Sequence, residues 1–86
     1  MYEFRWNEWN AEHATQHGVS QAEAERIVDN PGRGWPRRIA DEKLMVQGRG
    51  QGGRLVQVIY LVDEEGSIFI IHAMPLTTRR RRRRRK

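Results

Sequence analysis

The chain has 86 residues and no cysteine, so it forms one small domain without disulfide bonds or thiolate-bound metal. Its formal charge of +5 is unevenly divided, because residues 79–86 carry eight of the sixteen basic residues. Positions 1–78 then hold eight basic and eleven acidic residues, a net charge of −3. The positive charge therefore belongs to the last tenth of the chain, which excludes a basic surface over the whole fold.

The N-terminal segment predicts a strand followed by a helix. Residues 2–6 alternate apolar and polar side chains, the pattern of period 2 that is typical of a half-buried strand. Asn7 can cap a helix over residues 8–16, which contain neither proline nor glycine. The pair His17 and Gly18 then ends this helix after about two and a half turns.

A second helix is predicted from Ser20 onward by a capping box. The Ser20 hydroxyl can accept a hydrogen bond from the Glu23 amide, while the Glu23 carboxylate accepts one from the Ser20 amide. Pro31 disfavours helical geometry at Asn30, which places the end of the helix near Asp29.

The rest of the chain predicts strands. Residues 31–42 contain two prolines and two glycines, which indicates a loop or a short, irregular edge strand. Residues 43–47 can form a strand, and residues 48–53 are a glycine-rich connection. Residues 55–62 give the clearest strand pattern, since apolar side chains occupy both of its faces.

The last predicted strand runs from Ser67 to Ala73, after a turn over residues 63–66. Alternation places Ile68, Ile70 and His72 on one of its faces. Because the strand is apolar on both sides, we expect it in the centre of the sheet or beneath a partner.

Together these elements predict an α+β fold in which two N-terminal helices pack on one face of an antiparallel sheet of three or four strands. Residues 1–78 form a single domain, and residues 79–86 form an arginine-rich tail. No apolar run approaches the roughly 18 residues that span a bilayer, and the N-terminus lacks a basic region followed by an apolar stretch. We therefore expect a cytoplasmic protein that does not contact a membrane.

Short motifs along most of the chain carry a resemblance to a known family. They are Phe4 and Trp6, Trp9 and Asn10 with His13, His17-Gly18-Val19-Ser20 with Glu23-Ala24, Asn30-Pro31, Gly48-Arg49 with Gly53-Arg54, and residues 70–73 before 75–77. Their order and spacing resemble the BrnT family of bacterial toxins, which has a RelE-like ribonuclease fold. The resemblance implies a metal-independent endoribonuclease that cleaves messenger RNA. It also implies a BrnA-like antitoxin as partner, with operator DNA bound only through the antitoxin complex.

His72 is the first candidate for this chemistry. Cleavage of RNA without a metal needs a base for the 2′-hydroxyl proton, an acid for the leaving 5′-oxygen and cations near the phosphate. Imidazole titrates near neutral pH, and His72 stands near the end of a predicted strand that can hold it rigidly. We expect His72 to act as acid or base; the alternative is a sheet histidine bonded to a neighbouring carbonyl.

Three basic residues are candidates for the phosphate. Arg49 and Arg54 flank the glycine-rich connection, and guanidinium groups bind phosphate with two hydrogen bonds. Lys43, in the preceding strand, can reach the same groove. We expect these three side chains to converge with His72 on one open cleft. The alternatives are solvated arginines on a flexible hairpin, and an edge lysine that discourages strand pairing.

The basic loop is a candidate RNA-binding segment. Trp35 lies between Arg33 and the pair Arg37 and Arg38, so an aromatic surface alternates with cations, as in proteins that bind single-stranded RNA. The alternative is a structural tryptophan beneath a mobile loop.

The tail is a second candidate for RNA binding. Arg79, Arg80 and Arg81 begin a run of like charges that would contact phosphates almost regardless of sequence. Such contacts give affinity rather than specificity. The alternative is a solvated tail that aids solubility or contacts an acidic antitoxin.

A metal site and a cofactor are not expected. His13 and His17 are four residues apart, so a continuous helix would place them on one face, as two zinc ligands would be. No third ligand is evident, and the residues between them lack a catalytic glutamate. We expect Trp9 and His13 to pack against the sheet, with His17 closing the helix.

One departure from the family pattern keeps other functions open. Family members commonly end the last strand with Ser-Ala-Arg, whereas here the segment reads His72-Ala73-Met74. This difference favours a second hypothesis, a nucleic-acid-binding module without catalysis. A third is a partner-binding protein whose open sheet face is filled by another chain, which Phe69 and Ile71 favour. A homodimer is also compatible with so small a core.

Overall fold

The computed structural model describes residues 2–76 of the chain. Two helices are followed by four strands: α1 (Glu8–Thr15), α2 (Gln21–Asp29), β1 (Arg37–Ala40), β2 (Lys43–Arg49), β3 (Leu55–Val62) and β4 (Ile68–Pro75). The strands form one antiparallel sheet in the order β1-β2-β3-β4. The predicted α+β fold is therefore confirmed. The tail residues Arg79, Arg80 and Arg81 lie outside the described part of the chain.

Both helices begin at the residues that the sequence indicates. The Asn7 side chain accepts a hydrogen bond of 3.0 Å from the Asn10 amide, and Asn10 Oδ1 accepts one of 2.7 Å from the Asn7 amide. The Ser20 hydroxyl accepts a bond of 3.0 Å from the Glu23 amide, as predicted. The reciprocal half of that capping box is wrong, because the Glu23 carboxylate accepts from Arg54 and Gln51 instead.

The hydrophobic core lies between the helices and one face of the sheet. Its members are at most 3% exposed: Ala14, Val19, Ala24, Ile27, Val28, Val46, Val56, Val58, Tyr60, Ile68, Ile70 and Ala73. Gly48, expected in the glycine-rich connection, continues β2 at a close approach to α2. A Cβ at Gly48 would lie 3.3 Å from a methyl carbon of Ile27, so the small residue lets the helix sit against the strand.

Strand β4 lies at the edge of the sheet that the described residues form, so of its two predicted positions the central one is wrong. The N-terminal segment covers that edge: the Arg5 amide donates to the Ile68 carbonyl at 2.9 Å, and the Ile68 amide donates to the Glu3 carbonyl at 2.8 Å. Farther along, Asn10 Nδ2 donates to the Ile70 carbonyl at 2.9 Å. The predicted first strand is thus a single bridge at Phe4, and it pairs the edge backbone groups of Ile68.

A β-bulge in β4 changes the face on which His72 lies. Tyr60 pairs with Ile70 and Ile59 pairs with His72, so Ile71 is an extra residue without a partner of its own. The prediction that His72 shares a face with Ile70 is therefore wrong. Ile70 points into the core, whereas His72 lies beside Ile59 on the other face and is only partly buried.

Over residues 2–76 the two helices have eight and nine residues, and neither is long and apolar enough to cross a membrane.

Candidate functional site

The face of the sheet that the helices leave uncovered is the candidate site, and we call it the open face. One row across all four strands is formed by Arg37, Met45, Ile59 and His72. The next row contains Gln47, Gln57 and Met74, and a third pairs Arg49 with Leu55. Lys43 belongs to the same face, since it lies two residues before Met45 along β2. Apolar side chains thus occupy the middle of the face, and cations lie along β1 and β2.

His72 contacts a second histidine at the β4 edge of this face. The His17 ring lies edge-on to the His72 ring, with 5.4 Å between the ring centroids and an interplanar angle of 66°. Helix α1 packs along β4 and ends at Thr15, so the segment after it turns His17 toward the sheet. Two imidazoles therefore meet where the open face passes into the helix layer.

The surroundings of His72 favour its neutral form. Partial burial removes water from the ring and lowers the pKa of His72, and the charge of the nearby His17 lowers that pKa further. A neutral imidazole has one nitrogen that accepts a proton. His72 thus has the protonation state of a base at neutral pH.

A group of aromatic rings continues the open face beyond the histidine pair. The rings of Trp9 and His13 are stacked with 4.0 Å between centroids, and Phe69 lies nearly parallel to Trp9 at 6.4 Å. The Arg5 guanidinium lies over Phe69 at 5.4 Å from the ring centroid. Trp9 packs toward the sheet as predicted, through its contact with Phe69, yet it remains 50% exposed.

Arg54 does not lie at the site that the sequence predicts for it. Its Nη2 lies 2.8 Å from Glu23 Oε1 in an ion pair, and the same nitrogen donates to the Gly18 carbonyl at 2.9 Å. The Gln51 amide also donates to Glu23, at 2.8 Å. Glu23 is a residue of α2, is only 3% exposed and lies on the helix side of the sheet. The ion pair with Arg54 therefore links the end of the glycine-rich connection to α2. The expected convergence of Arg54 with His72 is therefore wrong.

The Glu23 carboxylate is held in its charged form by these partners. The hydrogen bonds from Arg54 and the Gln51 amide lower the pKa of Glu23, and they outweigh the opposite effect of burial. The group is thus a structural anchor of the glycine-rich connection.

Arg49 and Lys43 lie on the open face, at different distances from His72. Arg49 donates to the Gly53 carbonyl at 3.1 Å and is exposed. It stands two rows and two strands from His72, about 17 Å between Cα atoms from ordinary strand spacing. Lys43 stands one row and two strands away, about 12 Å by the same spacing. The two cations therefore flank the row of His72 instead of meeting it at one point.

The basic loop combines a structural tryptophan with exposed cations. Trp35 packs against the core, as its structural alternative proposes, and the Arg37 guanidinium covers its ring at 4.5 Å. Arg37 Nε also donates to the Gly34 carbonyl at 3.1 Å. Arg33 and Arg38 are exposed. The loop thus exposes positive charge at the β1 edge, whereas Trp35 packs against the core and stabilises the fold.

Within residues 2–76, carboxylates gather in the turns at one end of the sheet, where Lys43 and Arg5 also lie. The β1–β2 turn carries Asp41 and Glu42, and the β3–β4 turn over residues 63–66 carries three more carboxylates at the same end. Arg49 lies at the other end. The Leu76 amide donates to the Leu55 carbonyl at 2.9 Å there, so the described chain ends beside Leu55, the β3 partner of Arg49.

The described residues offer few groupings of side chains that could bind a metal ion. No group of three histidine, aspartate or glutamate side chains comes together there. The predicted helical pair of His13 and His17 is not formed as such, because α1 ends before His17. His13 Nδ1 instead lies 2.7 Å from the Trp9 carbonyl, to which it donates.

The fold and the site define a small α+β domain with an open, cation-lined sheet face and a histidine pair at its edge. Comparisons with protein-family models, curated proteins and solved structures find no match to this chain. The BrnT resemblance thus remains a prediction that depends on the quoted residues. Sequence reasoning proposed His72 as a site residue but did not identify His17 as its neighbour, since helical spacing paired His17 with His13.

Proposed function

We propose that the chain is a metal-independent endoribonuclease of the BrnT type, the toxin of a bacterial toxin and antitoxin pair, which cleaves messenger RNA on the open face. The contact between His17 and His72 at the edge of a face lined by Lys43, Arg37 and Arg49 is the observation that supports this. Two imidazoles can provide one general base and one general acid for the reaction.

The chemistry is a transesterification that needs no metal. Neutral His72 takes the proton of the 2′-hydroxyl, and the 2′-oxygen then forms a bond to phosphorus. His17 gives a proton to the 5′-oxygen as the bond between phosphorus and that oxygen breaks. The products are a 2′,3′-cyclic phosphate and a free 5′-hydroxyl. Acid and base assistance each contribute about 10²- to 10⁴-fold to the rate.

The cations of the open face bind the RNA strand. Among residues 2–76 the salt bridges are Arg5 with Asp63 and Arg54 with Glu23, so Arg37, Lys43 and Arg49 have no carboxylate within bonding distance there. Cations without carboxylate partners are available to phosphates. We propose that the eight basic residues at positions 79–86 add contacts to phosphates, as their charge in the sequence predicts.

A BrnA-like antitoxin is the proposed inhibitor, and the half-buried apolar middle of the open face is its proposed binding surface. Covering Met45, Ile59 and Met74 would exclude RNA from the row of His72. Operator DNA is bound only through that complex in this proposal, and the site of action is the cytoplasm.

The test measures cleavage of a mixed RNA substrate with EDTA present. We expect cyclic-phosphate products from the wild-type chain and a loss of at least about 100-fold in rate for His72→Gln and for His17→Gln. His13→Gln is the matched control, because His13 lies on the same surface but outside the pair. Intact RNA with the wild type, or equal rates for all four proteins, would reject the nuclease.

Binding without cleavage is the second candidate function. Two observations favour it: Arg54 is held by Glu23, and Met74 stands beside Gln57 where the BrnT pattern has an arginine. This function predicts RNA binding whose affinity falls steeply with salt, with a slope of about −0.7 per phosphate contact on a single strand. Cleavage would then be absent, with binding equal in wild type and His72→Gln.

A further inference from the structure

The distance between the His17 and His72 rings is close to the distance between two imidazoles that bind one metal ion. Zinc binds imidazole nitrogen at about 2.0–2.1 Å in tetrahedral geometry. From the size of the rings, two imidazoles on one such ion have centroids about 5 Å apart. The observed separation is 5.4 Å, close to that value, and the His17 ring is exposed to solvent.

We propose that His17 and His72 form a two-imidazole binding site for a borderline divalent cation, with Zn²⁺ as its probe. Imidazole suits zinc, copper and nickel better than magnesium or calcium, which prefer oxygen ligands. No third histidine or carboxylate joins the pair within residues 2–76, so solvent supplies the other ligands and the site is open.

His13 is a neighbour of this site without being one of its ligands. Its Nδ1 is bonded to the Trp9 carbonyl at 2.7 Å, and its ring is stacked on Trp9. Both contacts hold the His13 ring within α1, whereas His17 follows the end of that helix. The contact between His17 and His72 joins the segment after α1 to β4. It is a tertiary contact, whereas His13 and His17 are neighbours only along the chain.

The expected effect of zinc on RNA cleavage rests on the proposed function. A cation on both imidazoles occupies the nitrogen that would accept the 2′-hydroxyl proton and the one that would donate to the leaving oxygen. Zinc is then an inhibitor of cleavage, and EDTA restores the rate. Zinc binding itself does not depend on the nuclease, so the two are measured separately.

The binding test uses the full chain freed of metal by EDTA and dialysis. Zn²⁺ is titrated by calorimetry, and the histidine ring signals are followed by NMR. We expect one ion per chain, simultaneous changes at His17 and His72, and at least tenfold weaker binding for His17→Gln and for His72→Gln. His13→Gln is the matched control and should bind as the wild type does.

Different results would overturn the metal site and the nuclease. Binding that is equally strong in the double variant of His17 and His72 would overturn the site, as would a loss of equal size in His13→Gln. Circular dichroism of each variant shows whether the chain is folded, and the ring signals of the unmodified protein report the site without any substitution. Zinc binding, together with RNA left intact by the metal-free chain in EDTA, would support the metal site and reject the nuclease.

Discussion

The two faces of the sheet are built from the same strands, yet they differ in what their residues do. On the helix-covered face, Val56, Val58 and Ile70 are fully buried against the helices. On the open face, Ile59 and Met45 remain partly exposed, and cations stand beside them. Alternation along each strand separates the two sets. One face therefore stabilises the fold, whereas the other leaves apolar and cationic groups available for a ligand.

Charged groups follow the same division. On the helix side, the buried Glu23 carboxylate accepts hydrogen bonds from Arg54 and the Gln51 amide. On the open face, Lys43 and Arg37 have no such carboxylate among the described residues. A buried charge must be paired, whereas an exposed one is solvated. Substitutions on the two faces should therefore affect different properties.

The largest expected effect concerns two isoleucines on opposite faces. Ile70→Ala creates a cavity in the core and should lower the free energy of unfolding by about 3 kcal/mol, because Ile70 is fully buried. Ile59→Ala removes a half-buried side chain from the open face and should cost about 1 kcal/mol. Urea denaturation of both variants measures the difference, and equal losses would contradict the division into two faces.

The next effect concerns the buried carboxylate on the helix side. Glu23→Gln should lower the free energy of unfolding by about 2 kcal/mol, because charged hydrogen bonds to Arg54 and Gln51 are weakened. Glu12→Gln is the matched control, since Glu12 is an exposed residue of α1. A loss of similar size in both variants would show that Glu23 is not an anchor.

The pH dependence of stability gives a second measurement of the same anchor. The pKa of Glu23 is lowered in the folded chain, so its contribution is present above the unfolded value near 4.5. That contribution is lost as the pH falls through the lower, folded pKa. Acid titration of stability should therefore be shallower in Glu23→Gln than in the wild type, and identical curves would reject this assignment.

Local signals along the chain predicted most of the fold. The cap residues Asn7 and Ser20 begin the two helices, and β3 has the predicted bounds of 55–62. Such features depend on a few neighbouring residues, so the sequence alone contains them. The position of β4 depends instead on Asn10 and the N-terminal segment, which lie about 60 residues away in the chain. Apolar residues on both faces of a strand do not distinguish a central strand from a covered edge.

The site was harder to predict than the fold, for two physical reasons. One extra residue at Ile71 moves His72 to the open face, and a bulge has no clear pattern in this sequence. The partner of Arg54 is Glu23, 31 residues away, and spacing along the chain does not show it. Lys43 and Arg49 are both exposed, but the predicted strand ended at Gln47, so alternation along it did not include Arg49.

A smaller effect is expected at the start of α2, within the helix layer. Ser20→Ala removes the hydroxyl that accepts from the Glu23 amide at 3.0 Å, and it should cost about 1 kcal/mol. Ser20→Asp is the matched control, since aspartate also caps helices and should retain most of the stability. Thermal denaturation of both variants provides the measurement. Equal stability of Ser20→Ala and the wild type would mean that packing alone fixes the start of α2.

The smallest effect on stability, and the one that best separates the faces, is expected at the cations of the open face. Lys43→Ala and Arg37→Ala should each change the free energy of unfolding by less than about 1 kcal/mol, because both side chains are exposed. Each should nevertheless reduce the slope of RNA affinity against salt by about 0.7, since one phosphate contact is lost.

Arg26→Ala on α2 is the matched control for that measurement, because it removes an exposed arginine from the helix layer. Its salt slope should equal that of the wild type if RNA lies on the open face. A decrease of the same size in Arg26→Ala would mean that RNA contacts the chain through charge alone, without a preferred face. The slope therefore distinguishes a binding surface from a general attraction even when the affinities are similar.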